Sequence, residues 1–189
     1  NWSCGAPPNN LYTNASYLRV MWIAQVKIKH DCIIGNRCEK FKVKTLGSPH
    51  GVYVKNKVTY SPQIHTVYGE NKELFLKDLQ TDKRVKHFER EGDTFFILEI
   101  RKEKIPASFY HNQLLYLKPN LVDEQGYEFW SLASWKREHI NKFVSNVQKY
   151  FKNVKILEIK HINLTDLYYP HLMPKLTSLQ RKAFVLALD

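Results

Sequence analysis

Between Lys136 and Phe151 the apolar residues Ile140, Phe143, Val144, Val147 and Phe151 fall on one stripe of an α-helix, and the segments around it alternate apolar and polar residues. A one-faced helix beside half-buried strands can hide its stripe only by lying on a sheet, so the chain is predicted to be α+β. Val20 to Lys29 starts apolar and then alternates, as a strand does. Asp31 to Glu39 holds one or two helical turns, and Phe41 to Val43 opens a second strand. Val52 to Val54 and Val58 to Tyr60 form a hairpin with its tip at Lys55-Asn56-Lys57. Leu74, Leu76 and Leu79 mark a helix within Glu70 to Lys83, whose acidic first turn suits the helix dipole. Strands follow at Val85 to Glu91 and Phe95 to Ile100. A short helix is expected over Pro106 to Asn112, and Leu114 to Leu117 pairs with Tyr127 to Leu132. Val154 to Lys160 is the last strand.

This order reads as βαββαβ twice. A shift of 69 residues sets Leu74 over Phe143, Val85 over Val154 and Glu89 over Glu158, as a diverged duplication would. The predicted fold is two tandem ferredoxin-like (ACT-like) domains, residues 20–92 and 93–162, with helices on one face of antiparallel sheets. Residues 1–19 have the composition of a flexible leader. Residues 163–175, stiffened by Pro170 and Pro174, read as a linker to a further unit at 176–189.

The formal charge of +11, spread along the chain, favours polyanions. No run approaches the roughly 18 apolar residues of a membrane span, and no basic region leads into an apolar export core, so a cytoplasmic protein without membrane contact is expected. Cys4, Cys32 and Cys38 are odd in number, which suits reduced thiols or a metal better than a disulfide framework. His30, Cys32 and Cys38 form the best ligand-like cluster, an imidazole and two thiols of the kind that holds Zn or Fe, with Cys4, His50 or His65 to complete the set. Glycine-rich phosphate loops, nucleophile elbows and His-Glu-x-x-His pairs are absent from the sequence, so no catalytic residues are assigned and a non-enzymatic role is expected. Tyr110, Tyr127, Trp130 and Trp135 are candidates to line a pocket for a small apolar or aromatic effector between the two halves.

The end of the chain narrows the functional class. Leu176-Thr-Ser-Leu-Gln-Arg-Lys-Ala-Phe-Val-Leu-Ala187 has the wording Leu-Thr-x-x-Gln-Arg-x-Ala-x-x-x-Ala. It resembles the opening helix of the helix-turn-helix domain in archaeal transcription regulators of the bacterio-opsin activator type. The resemblance implies that residues 176–189 are the first helix of an incomplete DNA-binding domain. It also implies that the preceding region senses an effector or dimerises, setting the spacing of two reading heads on double-stranded DNA. Lys175, Arg181 and Lys182 would then lie near phosphates. The alternative is a free-standing, ACT-like small-molecule binding module without DNA contact.

Overall fold

The computed structural model describes residues 20–49, 51–101, 109 and 111–163. The strands are β1 (Val20–Lys29), β2 (Lys44–Pro49), β3 (Tyr53–Lys55), β4 (Val58–Tyr68), β5 (Val85–Glu91), β6 (Thr94–Arg101), β7 (Leu115–Tyr116), β8 (Asn120–Val122), β9 (Glu128–Ser134) and β10 (Asn153–Asn163). The helices are α1 (Ile33–Phe41), α2 (Lys72–Gln80) and α3 (Arg137–Tyr150). All ten strands join one antiparallel sheet in the order β10-β1-β9-β8-β2-β4-β6-β5, with β3 added to β4 and β7 to β9.

This corrects the expectation of two tandem ferredoxin-like (ACT-like) domains. β1, from the first half of the chain, lies between β9 and β10 of the second half, and β2 pairs with β8. The reason is visible in β1 itself. Ala24, Val26 and Ile28 are buried against α3, while Met21 and Ile23 are buried on the other face with Leu117, Ala133 and Ile162. A strand apolar on both faces needs cover on both, which an interior position supplies. Two helices each connect strands that flank a third: α2 joins β4 to β5 around β6, and α3 joins β9 to β10 around β1.

Helix α3 buries Ile140, Phe143 and Val147, three residues of its predicted stripe. Helix α2 buries Phe75, Leu76 and Leu79, whereas Leu74 is 56% exposed, so the overlay of Leu74 on Phe143 pairs opposite helix faces. The β3–β4 hairpin turns at Asn56 and Lys57, both with positive φ, which suits the right-handed twist of the flanking strands. The leader 1–19, most of the short helix expected over Pro106 to Asn112, the linker from residue 164 and the unit 176–189 lie outside the described residues. Among the described residues no helix is long and apolar enough to cross a membrane.

Paired residues of a ladder share a face. Val122 pairs with both Glu128 and Thr45, and Thr45 with Val67, so the α1/α2 core and the α3 core lie on the same side of the sheet. Between them the interior turns polar.

Candidate functional site

Strand β4 makes that polar seam. Thr59, Ser61, Gln63 and His65 are buried, while Ile64, on the opposite face, is 43% exposed. On β6, Glu99 and Arg101 continue the face that Phe95 and Ile97 begin. Asn120 of β8, Gly47 of β2 and His65 of β4 form one cross-strand row. Gly47 is required there, because a Cβ at that position would overlap the His65 imidazole at Nδ1 and Cε1.

A hydrogen-bond chain fixes the state of His65. Arg101 donates to Glu99 Oε2 at 2.8 Å, and Gln63 Nε2 donates to the same oxygen at 2.9 Å. The carboxylate takes the amide nitrogen, so Gln63 presents Oε1 to His65 Nε2 at 2.9 Å, and Nε2 carries the proton. Burial holds the imidazole down to about 4 against the pull of Glu128, so at neutral pH His65 is uncharged and its Nδ1 is an acceptor.

The second part of the seam joins the end of β1, the start of α1 and the start of β9. Ile28 pairs with Glu128, which brings His30, two residues on, to that carboxylate: His30 Nε2 lies 3.0 Å from Glu128 Oε1. Cys32 caps α1, its Sγ accepting from Gly35 N at 3.1 Å. Trp130 Nε1 donates to Glu128 Oε2 at 2.8 Å. Ligand atoms of His30, Cys32 and Glu128 all lie within 4.8 Å of one another. Burial raises the Glu128 carboxyl, but hydrogen bonds and charge from His30, with further bonds from Cys32 and Trp130, outweigh it and hold the group at about 2. Burial, reinforced by the charge of Glu128, pushes the Cys32 thiol well up, so at neutral pH Cys32 is a thiol donating to a carboxylate.

Both parts line one small cavity of about 70 Å³, together with Phe109, Trp130, Tyr150 and Phe151. A wider recess of about 560 Å³ shares His30, Arg101, Tyr150 and Phe151 with it and adds Lys29 and Lys152. His65 Nδ1, Arg101 Nε and Asn120 Oδ1 are buried without a hydrogen-bond partner among the described residues, and all three residues line the small cavity. Each such atom costs about 1–3 kcal/mol unless something in the cavity satisfies it.

Of the residues singled out in the sequence, His30, Cys32, His65 and Trp130 line this cavity. Cys38 does not: it faces the α1/α2 core with its Sγ 4.0 Å from Thr45 Oγ1, and burial pushes its thiol up to about 12. The helix separates the two cysteines, since the capping position and the buried face of α1 point to different neighbours. Tyr127 lies beneath the Lys27 ammonium, 4.0 Å from its ring centre, and Trp135 is 55% exposed. Neither is among the residues lining the cavity. Tyr110, Lys175, Arg181 and Lys182, like Cys4 and His50, lie outside the described residues. The sequence reading missed Glu128, Asn120, Gln63, Glu99 and Arg101. One signal for part of this set was available: in Thr59-Tyr-Ser-Pro-Gln-Ile-His65 the polar residues occupy every second position of a strand, and here that register faces inward. No protein-family model matches the chain, and no curated protein matches it.

Proposed function

We propose that this chain is the sensing region of a DNA-binding transcription regulator whose effector occupies the cavity between the two helical cores. The observation that carries the reading is that His65 Nδ1, Arg101 Nε and Asn120 Oδ1, all buried and unpartnered among the described residues, belong to residues lining one cavity. Natural interiors satisfy nearly all their polar groups, and clustered exceptions mark places where a ligand completes the bonding. The effector is small and polar, a molecule or an ion of the Zn or Fe type, because the lining offers acceptors, a guanidinium, an imidazole–thiol pair and a carboxylate. This replaces the apolar or aromatic effector that the tryptophans and tyrosines suggested. The DNA-binding half of the proposal rests on the wording of Leu176 to Ala187, with Lys175, Arg181 and Lys182 as phosphate contacts of a homodimer.

The test has two stages on the full native protein. A thermal-shift screen of small polar compounds and divalent ions finds what raises its melting temperature, and the hits are then added to an anisotropy titration with duplex DNA from upstream of its gene. The expected result is a change of about fivefold or more in DNA affinity, the usual size of allosteric coupling. A screen without a hit, or a hit that His65→Ala and Asn120→Ala leave untouched, sinks the cavity as effector site. A hit that leaves DNA affinity unchanged favours the second reading, a free-standing binding module. That reading is supported by one observation: among the described residues, the cavity lining runs from His30 to Phe151 and so comes from the sheet, its helices and their connections.

A further inference from the structure

The corner of the cavity made by His30, Cys32 and Glu128 has a chemistry of its own. Its ligand atoms come from three separate places in the chain, the end of β1, the cap of α1 and the start of β9, yet lie within 4.8 Å of one another. Cys32 and Glu128 are both buried, and His30 is half-buried and backed by Phe151 at 4.6 Å between ring centres. Two of the three, the Cys32 thiol and the His30 ring nitrogen, are turned onto the Glu128 carboxylate.

We propose that His30 Nε2, Cys32 Sγ and a Glu128 carboxylate oxygen bind one divalent transition ion, Zn²⁺ by preference, with the fourth coordination position on the cavity side. The proposal deepens the effector reading given above and rests on it only for the role of the ion, not for the binding itself. Charge decides the valence. A thiolate and a carboxylate bring two negative charges, an imidazole none, so a divalent ion makes a neutral buried site, whereas a monovalent ion leaves a net negative charge away from water. On binding, the Cys32 thiol proton passes to bulk water, as does any proton that His30 carries on Nε2, and the neutral imidazole keeps its one proton on Nδ1; no oxidation or reduction takes place. Softness decides the metal. Thiolate with imidazole selects Zn or Fe over Mg or Ca, whose preferred partners are oxygens alone. Three protein ligands with one open position is the arrangement of Zn sites that exchange a water for another ligand. Trp130, already bonded to the second oxygen of Glu128 at 2.8 Å, holds that carboxylate in place.

The probe is Co²⁺ alone, added to the metal-free full chain and read by absorption, with Zn²⁺ then competing it out against a chromophoric chelator. The expected result is one ion per chain, a thiolate-to-cobalt charge-transfer band in the near ultraviolet, and intense visible bands of four-coordinate cobalt. The chain holds three cysteines, so Cys4→Ala with Cys38→Ala leaves Cys32 alone. That double variant keeps both the band and the affinity, whereas Cys32→Ala loses the band, and Glu128→Gln weakens binding by about tenfold or more. A band that vanishes in the double variant overturns the assignment, as does binding that survives Cys32→Ala with the band intact. Should Cys32→Ala fail to fold, the spectrum of the double variant decides alone. DNA affinity is read separately: an ion that binds as described without altering DNA affinity leaves this site standing and defeats the sensing role.

Discussion

Gly47 and His65 face each other across β2 and β4, and their pairing is where a single residue controls the cavity. Replacing Gly47 by Ala forces the imidazole or the strand to move, so Gly47→Ala should cost about 1–3 kcal/mol in chemical denaturation, as overpacking does elsewhere. His65 also gives the fold a pH dependence. Its pKa falls from 6.5 to about 4 on folding because burial disfavours the cation, with Glu128 the charged group opposing the shift. Between those values the unfolded chain binds a proton that the native one refuses, so stability falls as pH falls through that window. The loss is complete below it and absent above it. Its size is up to about 3 kcal/mol. His65→Phe keeps a ring beside Phe95 but cannot titrate, so its stability should change less between pH 7 and pH 4 than that of the parent. An equal slope in the two proteins would show that another group controls the transition.

At the scale of elements, helix faces were legible to different degrees. The stripe of α3 repeats cleanly, and the structure buries Ile140, Phe143 and Val147. α2 offers Leu74, Phe75, Leu76 and Leu79 within a few positions, and a short helix of nine residues leaves its facing direction undetermined by periodicity. Packing against Phe95 settles it, with Phe75 inside at 5.9 Å between ring centres. Phe75→Ala should therefore cost about 3–5 kcal/mol, and Leu74→Ala within about 0.5 kcal/mol of nothing. Urea denaturation of the two variants tests this, and comparable losses would reverse the face assignment. β4 was legible only at its start, where Val58 to Tyr60 form the expected hairpin with β3; beyond that its register puts Ser61, Gln63 and His65 inside and Ile64 outside. Polar residues on the buried face of a strand break the usual consistency between pattern and fold, and such breaks collect at functional sites.

At the scale of the whole molecule, the seven-residue ladder of β1 with β9 and its ten-residue ladder with β10 tie the ends of the described chain together. A fragment of residues 20–92 would leave β1 without either neighbour and α1 without Glu128 beside its cap. It should show the collapsed amide dispersion of an unfolded chain in a nitrogen–proton correlation spectrum, and a dispersed native-like spectrum would restore independent domains. The sequence alone determined the local terms: the helix of residues 137–150, most strand positions and the closeness of His30 to Cys32, all of which follow from periodicity and short separations. Only the tertiary structure decided which strands are neighbours, because alternation says which face of a strand is buried and nothing about what lies beside it. The same limit hid Glu128, 98 residues from His30 in sequence and 3.0 Å from it in space. It also made Cys38 look like a ligand, since six residues of chain are a short span, but the helix sets the second thiol against Thr45 while the first meets Glu128.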